Sequence, residues 1–242
     1  MTERPILFSG AMVRAILDGR KTQTRRVVKG SHLDSADVWA FDAARGEWES
    51  GEVHQGATAH VEWVRCPFGT PGDRLWVRET HALLQPTTDE ATAREHRDRI
   101  VCRPEDGEMV AVWYRADGEM PLAEQLWADD PDDGIRWRPS IHMPRWASRI
   151  TLEVTGVRVE RLNDISEEDA KAEGADRDFT PCDPDDREDP REVGYPSASD
   201  TAHAEATKHR RFFRSLWESI NGPDSWAANP WVWVVDFRRV TP

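Results

Sequence analysis

A lysine and a threonine three positions apart, Lys21 and Thr24, stand inside the run Lys21-Thr22-Gln23-Thr24-Arg25-Arg26. A lysine that is partly desolvated, or set beside other cations, loses basicity and can act as a general base. A threonine hydroxyl needs such a base before it attacks a carbonyl. In a helical turn the two side chains would share a face, whereas in a strand they would oppose each other and a bend would be needed. The plainer reading of the same run is a solvated basic loop.

The formal charge of the 242-residue chain, -13, argues against nonspecific nucleic-acid binding, which needs a basic surface along the phosphates. The charge is unevenly spread. Residues 1 to 30 carry seven Lys or Arg against two acids, a net of +5, and residues 163 to 206 carry fifteen acids against four bases, a net of -11. The basic island could therefore meet a small or short anionic ligand, while an extended duplex would be repelled. With 12 Trp the chain has ample material for a core and flat faces for base stacking. Cys66, Cys102 and Cys182 are odd in number and lack CxxC spacing, so free thiols are expected. A metal site would have to be assembled from Cys66, His142 and a further ligand with no close ligand pair, so neither a metal nor another cofactor is expected. His142, beside Met143-Pro144, reads as a structural histidine. No run reaches the roughly 18 apolar residues of a membrane span, and Met1-Thr2-Glu3-Arg4-Pro5 does not open a leader, which points to the cytosol.

The elements that must position Lys21 and Thr24 can be read from periodicity. Ile6-Leu7-Phe8 opens the chain, and Ser9 or Gly10 can cap a helix that buries Met12, Val13, Ile16 and Leu17 and ends at Asp18-Gly19. Val38-Trp39-Ala40-Phe41 and His60-Val61-Glu62-Trp63-Val64, separated by Gly46 and Gly51, read as a β-hairpin. Gly72-Asp73 leads into an alternating central strand, Arg74 to Glu79, and Val110 to Tyr114 is a further strand. Residues 117 to 139 look like loop, and Ile150 to Leu162 is one long strand or a hairpin about Gly156. Ser166-Glu167-Glu168-Asp169 starts a short helix that ends at Gly174. Residues 176 to 200 are too polar to bury much. Helix returns at about Ala204, with Phe212, Phe213, Leu216, Trp217 and Ile220 as its apolar stripe, and Trp231 to Phe237 suits a strand buried on both faces. Many strands with a few short helices indicate a mixed α+β protein.

Gly19-x-Lys21-x-x-Thr24-x-Arg26, Gly72-Asp73 before a strand, a strand ending near Leu162, the Ser166 to Gly174 helix and the apolar C-terminal strand together resemble the ASCH domain of the PUA-like superfamily. The ends of the chain look like the larger phage- and prophage-encoded members. The resemblance covers residues 4 to 30, 66 to 81, 137 to 175 and 212 to 240. It implies one PUA-like domain over residues 1 to 242, with a curled mixed sheet or β-barrel, a few short helices, and surface insertions at about 31–65, 85–136 and 176–203. Small bacterial ASCH amidohydrolases that convert N4-acetylcytidine to cytidine are similar in their Gly-Arg-Lys-Thr-x-Thr-x-Arg string. That likeness places a catalytic lysine and threonine on Lys21 and Thr24 and, through a helix start matching Ile165-Ser166-Glu167, a catalytic glutamate on Glu173. Most ASCH proteins carry glutamate where Thr24 stands, so the threonine is a departure toward the hydrolases.

Further side chains are candidates for holding a substrate. Glu79 could accept from a cytosine amino group, or pair with Arg74 or Arg78. Trp76 and Trp146 could stack on a base or fill the core. Arg26 could orient the base or bind a phosphate, or bridge to the acidic insertion, and Arg145 has the same phosphate or salt-bridge readings. Phe8 and Ser9 offer a pocket wall, or core and helix cap. The expected partner is a modified nucleoside or a short RNA, with no membrane and no extended duplex. The alternatives to an amidohydrolase are an RNA-binding or modified-base-binding module without chemistry, and a phage accessory protein acting through protein contacts. A nuclease ranks low because the sequence shows no metal-binding carboxylate cluster.

Overall fold

The computed structural model describes residues 1–30, 36–54, 57–84, 99–118, 136–175 and 208–240. Its elements are β1 (Glu3–Leu7), α1 (Gly10–Leu17), β2 (Gln23–Val27), β3 (Val38–Asp42), β4 (Glu47–His54), β5 (Ala57–Val64), β6 (Arg74–Arg78), β7 (His81–Leu84), β8 (Ile100–Cys102), β9 (Met109–Tyr114), β10 (Thr151–Arg161), α2 (Glu167–Ala172), α3 (Lys208–Asn221) and β11 (Trp231–Val240). The protein is α+β and strand-rich. A mixed five-stranded sheet has the order β1-β6-β10-β11-β2, and two three-stranded sheets have the orders β3-β4-β5 and β7-β9-β8. No sheet closes into a barrel among the described residues. None of the described helices is long and apolar enough to cross a membrane.

Most of the local expectations hold. Ser9 Oγ accepts the Met12 N–H at 3.4 Å to cap α1, which buries Met12, Val13 and Ile16. Ser166 Oγ accepts the Asp169 N–H at 3.0 Å to cap α2. β10 runs unbroken through Gly156, so it is one long strand and not a hairpin. The hairpin expected of the stretches around Trp39 and Trp63 is instead a three-stranded sheet, with β4 between them. Trp48 lies across from both Phe41 and Val64, and Ser50 lies across from Trp39 and Glu62. The register of β4 shifts between Ser50 and Gly51, which breaks the alternation by which a strand is recognised. Residues 85–98, 119–135 and 176–207, and with them most of two expected insertions and the expected start of a helix at Ala204, lie outside the described residues.

The chain forms two compact units, Met1–Arg4 with Ala15–Leu75 and Leu152–Pro242 in one, and Pro5–Arg14 with Trp76–Thr151 in the other. In the first unit β2 pairs antiparallel with β11, so that Gln23 opposes Asp236, Thr24 opposes Val235, Arg25 opposes Val234 and Arg26 opposes Trp233. Directly opposed residues share a face and successive residues alternate. Gln23 and Arg25 therefore lie on one face of β2, and Thr24 and Arg26 on the other. Phe213 of α3 sits beside the Arg25 guanidinium, 5.8 Å from it. Trp233 belongs to the opposite face, where Trp39 and Trp48 pack edge-on against it at 6.1 and 5.9 Å between ring centroids. Glu167 of α2 fastens α3, because its two carboxylate oxygens accept the backbone N–H groups of His209 at 2.6 Å and Arg210 at 3.1 Å. The second unit has its own core, in which Val112, Tyr114, Met143 and Ala147 pack together.

Candidate functional site

The sequence places Lys21 immediately after the turn that ends α1, and the backbone fixes it there. The carbonyl of Ala15 accepts the N–H groups of both Arg20 and Lys21 at 2.9 Å. Lys21 then forms an isolated antiparallel bridge with Glu173, and the Thr22 N–H donates to Ala172 O at 2.8 Å. Gly174 makes this approach possible. It has φ 78°, and a Cβ there would lie 3.0 Å from the Cβ of Lys21 and 3.1 Å from that of Ala15. Glycine is the residue that takes such a backbone without strain.

Both residues of the bridge are buried, at 2% exposure each. The Lys21 ammonium donates to Glu173 Oε2 at 2.7 Å, to Gln23 O at 2.8 Å and to Glu173 O at 3.0 Å. Three hydrogens with three acceptors, one of them charged, favour the ammonium at rest. Burial works against it. Desolvation pulls Lys21 below the ordinary lysine value, Glu173 raises it again, and Arg26 and Arg25 push it down, leaving a net lowering. Lys21 is thus a charged group closer than usual to giving up its proton.

Thr24 is also buried, and Arg26 is half-buried on the same face of β2. Desolvation pulls Arg26 below the ordinary arginine value and Glu173 opposes the shift. Thr24 lies on the face of β2 opposite Gln23 and Arg25, and Lys21 stands outside the strand with its ammonium on the Gln23 carbonyl. Lys21 and Glu173 are in direct contact, and Thr24 follows one residue after the carbonyl that helps to hold the lysine.

The other polar face of β2 was not legible as a site. Arg25, part of the apparent solvated run, is 3% exposed, and both of its terminal nitrogens are engaged. One terminal nitrogen donates to Gln23 Oε1 and, at 3.4 Å, to Glu173 Oε1; the other donates to Glu160 Oε1 and, at 3.2 Å, to Asp169 Oδ2. Gln23 Nε2 donates to Asp236 Oδ1 at 2.6 Å and to Asp169 Oδ1 at 3.1 Å. An amide with its oxygen on a cation and its nitrogen between carboxylates has one sensible orientation. Arg158 of β10 closes the set, on Glu160 and Asp236 at 3.1 Å and on Asp169 at 3.0 Å. Lys21, Arg25 and Arg158 thus face Glu160, Asp169, Glu173 and Asp236. The available signals were Asp236 inside an apolar strand, the Arg158-x-Glu160 spacing, and Gln23 alternating with Thr24.

Phe8, Ser9, Trp76, Glu79, Arg145 and Trp146 belong to the second unit, Phe8 and Ser9 in its first segment and the other four in its second. Phe8 is buried, with its N–H on Arg78 O at 3.3 Å, and Ser9 is the exposed cap of α1. Trp76 is buried beneath the guanidiniums of Arg78 and Arg145, at 4.7 and 5.9 Å from its ring centroid. Arg145 is exposed and donates to Thr151 Oγ1 at 3.3 Å. Trp146 is half-buried against the cluster of Val112, Tyr114, Met143 and Ala147. His142 is exposed.

Glu79 is buried, and its partner is Arg149, not the neighbouring Arg74 or Arg78. Arg149 grips both carboxylate oxygens at 3.0 Å, holds Asp117 at 2.7 and 2.9 Å, and lies over the Tyr114 ring at 3.9 Å. A partner 70 residues away leaves no local pattern. Burial pushes the Cys66 thiol up to about 11, which suits an inert side chain.

Set beside family models, curated proteins and solved structures, the chain matches none of them.

Proposed function

We propose that the chain hydrolyses the exocyclic amide of an N4-acylated cytidine-type nucleoside or nucleobase, on a PUA-like fold of the ASCH type, with Lys21, Thr24 and Glu173 as the working groups. The observation that carries the reading is the buried Lys21–Glu173 pair at 2.7 Å, with a buried threonine three residues after the lysine. In its neutral form Lys21, turned from the Gln23 carbonyl toward the Thr24 face of β2, takes the Thr24 proton as Oγ1 bonds to the acyl carbon. The C–N bond then breaks, and the Lys21 ammonium, held by Glu173, returns the proton to the departing amine. Water cleaves the threonine ester, releasing the acid and restoring the hydroxyl. Direct attack by water activated at Lys21 is the variant of this scheme. Arg26, on the Thr24 face of β2, orients the base. A free nucleoside carries no phosphate, so a chain of net charge -13 places no electrostatic barrier before it.

A second reading, a module that binds RNA or a modified base without chemistry, draws on one observation. The Lys21 ammonium has three acceptors at rest, as a purely structural lysine would. The two separate in one experiment. Purified protein incubated with N4-acetylcytidine is expected to release cytidine on a chromatogram. No release, together with low-salt gel shifts of single-stranded RNA that survive Thr24→Ala but not Arg26→Ala, would favour the binding module.

A further inference from the structure

The Glu173 carboxylate is held by two cations. Lys21 takes Oε2 at 2.7 Å, and Arg25 reaches Oε1 at 3.4 Å. A buried lysine–glutamate pair can relax in an unproductive way, by passing the lysine proton to the carboxylate so that both become neutral. A second, permanently charged donor on the other oxygen opposes that transfer, because arginine does not give up its proton in proteins.

We propose that Arg25 is a positioning residue for the Lys21–Glu173 pair, keeping Glu173 anionic and aimed at Lys21 when Lys21 gives up its proton. This rests on the reading of Lys21 as the base of the proposed reaction. Both terminal nitrogens of Arg25 are themselves held. Gln23 on its own strand accepts from it, Glu160 of β10 and Asp169 of α2 share its other terminal nitrogen, and Phe213 of α3 sits beside it. Gln23 is tied in turn to Asp236 of β11, and Arg158 of β10 neutralises Glu160, Asp169 and Asp236 from the far side. The charges that face Lys21 are Glu173 from the end of α2 and Arg25 and Arg26 from β2. Two cations beside one lysine also repel its proton, so the same arginine fixes the carboxylate and lowers the proton affinity of the amine.

The chain has only four lysines, Lys21, Lys29, Lys171 and Lys208, so the Lys21 side chain can be followed alone by NMR of lysine-labelled protein and assigned by its loss in Lys21→Met. In Arg25→Gln the Lys21 titration midpoint is expected to rise by about one pH unit, and in Arg25→Lys, which keeps a cation there, to stay near wild type. Arg25→Gln leaves Glu160 and Asp169 with Arg158 alone, so the compensated Arg25→Gln/Glu160→Gln protein is measured beside it, with cooperative melting as the check on folding. A folded Arg25→Gln or double variant whose Lys21 midpoint equals that of wild type overturns the proposal. Failure of the wild-type protein to hydrolyse N4-acetylcytidine would remove the reaction, while the midpoint still decides what Arg25 does to Lys21.

Discussion

Lys21 and Glu173 meet twice, as a backbone bridge and as a buried ion pair at 2.7 Å, although 152 residues separate them in the chain. The end of α2 is thereby bound to the start of β2. Removing the carboxylate leaves a buried ammonium with only carbonyl acceptors. Glu173→Gln is therefore expected to destabilise the fold by about 3–5 kcal/mol near neutral pH. The sign of its pH dependence follows from burial, which lowers the folded-state value of Lys21 below its unfolded one. Without Glu173 that lowering deepens, so stability should recover as pH rises from the folded value toward the unfolded value near about 10.4. Urea melts of Glu173→Gln across this range check it; a penalty that does not shrink with rising pH would show that Lys21 is not the stranded charge.

Gly156 leaves room for Asp236. A Cβ at residue 156 would stand 2.9 Å from Asp236 Oδ2, and that carboxylate is already held by Gln23 and Arg158. Gly156→Ala is expected to cost about 1–3 kcal/mol in a denaturant melt. Gly156→Ala combined with Asp236→Ala should lose less than the two changes do separately, because the second removes the carboxylate that the new methyl meets.

What the sequence made legible was local. The Ser166 cap, the α1 stripe of Met12, Val13 and Ile16, and the apolar run of β11 are written within a few residues and reappear in the fold. The ion pairs of Arg25 are not local, because Glu160, Asp169 and Glu173 lie 135 to 148 residues away. A run of cations looks solvated until its distant acids are placed. The same holds for Glu79, which bypasses Arg74 and Arg78 for Arg149. β4 is hidden in the sequence because its register shift and its acids mask the alternation. Lys21 and Glu173 were paired through the family resemblance, since no periodicity links them.

Glu167 closes the N-terminus of α3. Its carboxylate accepts from two backbone N–H groups beside Lys208, His209, Arg210 and Arg211, a cationic first turn at the positive end of the helix. Glu167→Ala is expected to lower stability by about 1 kcal/mol and to raise amide exchange in the first turn of α3 ahead of the rest of the helix. Uniform exchange along α3 would count against the cap.

Asp169 sets an acid limb. Burial pushes its carboxyl up, but the Gln23 hydrogen bond and the charges of Arg158 and Arg25 outweigh burial and hold it below the ordinary aspartate range. Its stabilisation is therefore complete above the unfolded value near about 4 and is lost as pH falls through the folded value. Asp169→Asn should be less stable at neutral pH and show a shallower loss of stability on acidification than wild type, read by thermal melts from neutral pH to about pH 2. Parallel acid limbs in the two proteins would assign the acid sensitivity to other carboxylates.

Thr24→Val keeps the shape of a buried side chain and removes only the hydroxyl on which the proposed chemistry depends. Measured as kcat/KM for cytidine release from N4-acetylcytidine, this variant is expected to fall by at least about 100-fold while melting as wild type does. Equal kcat/KM in Thr24→Val and wild type would contradict a reaction that runs through Thr24.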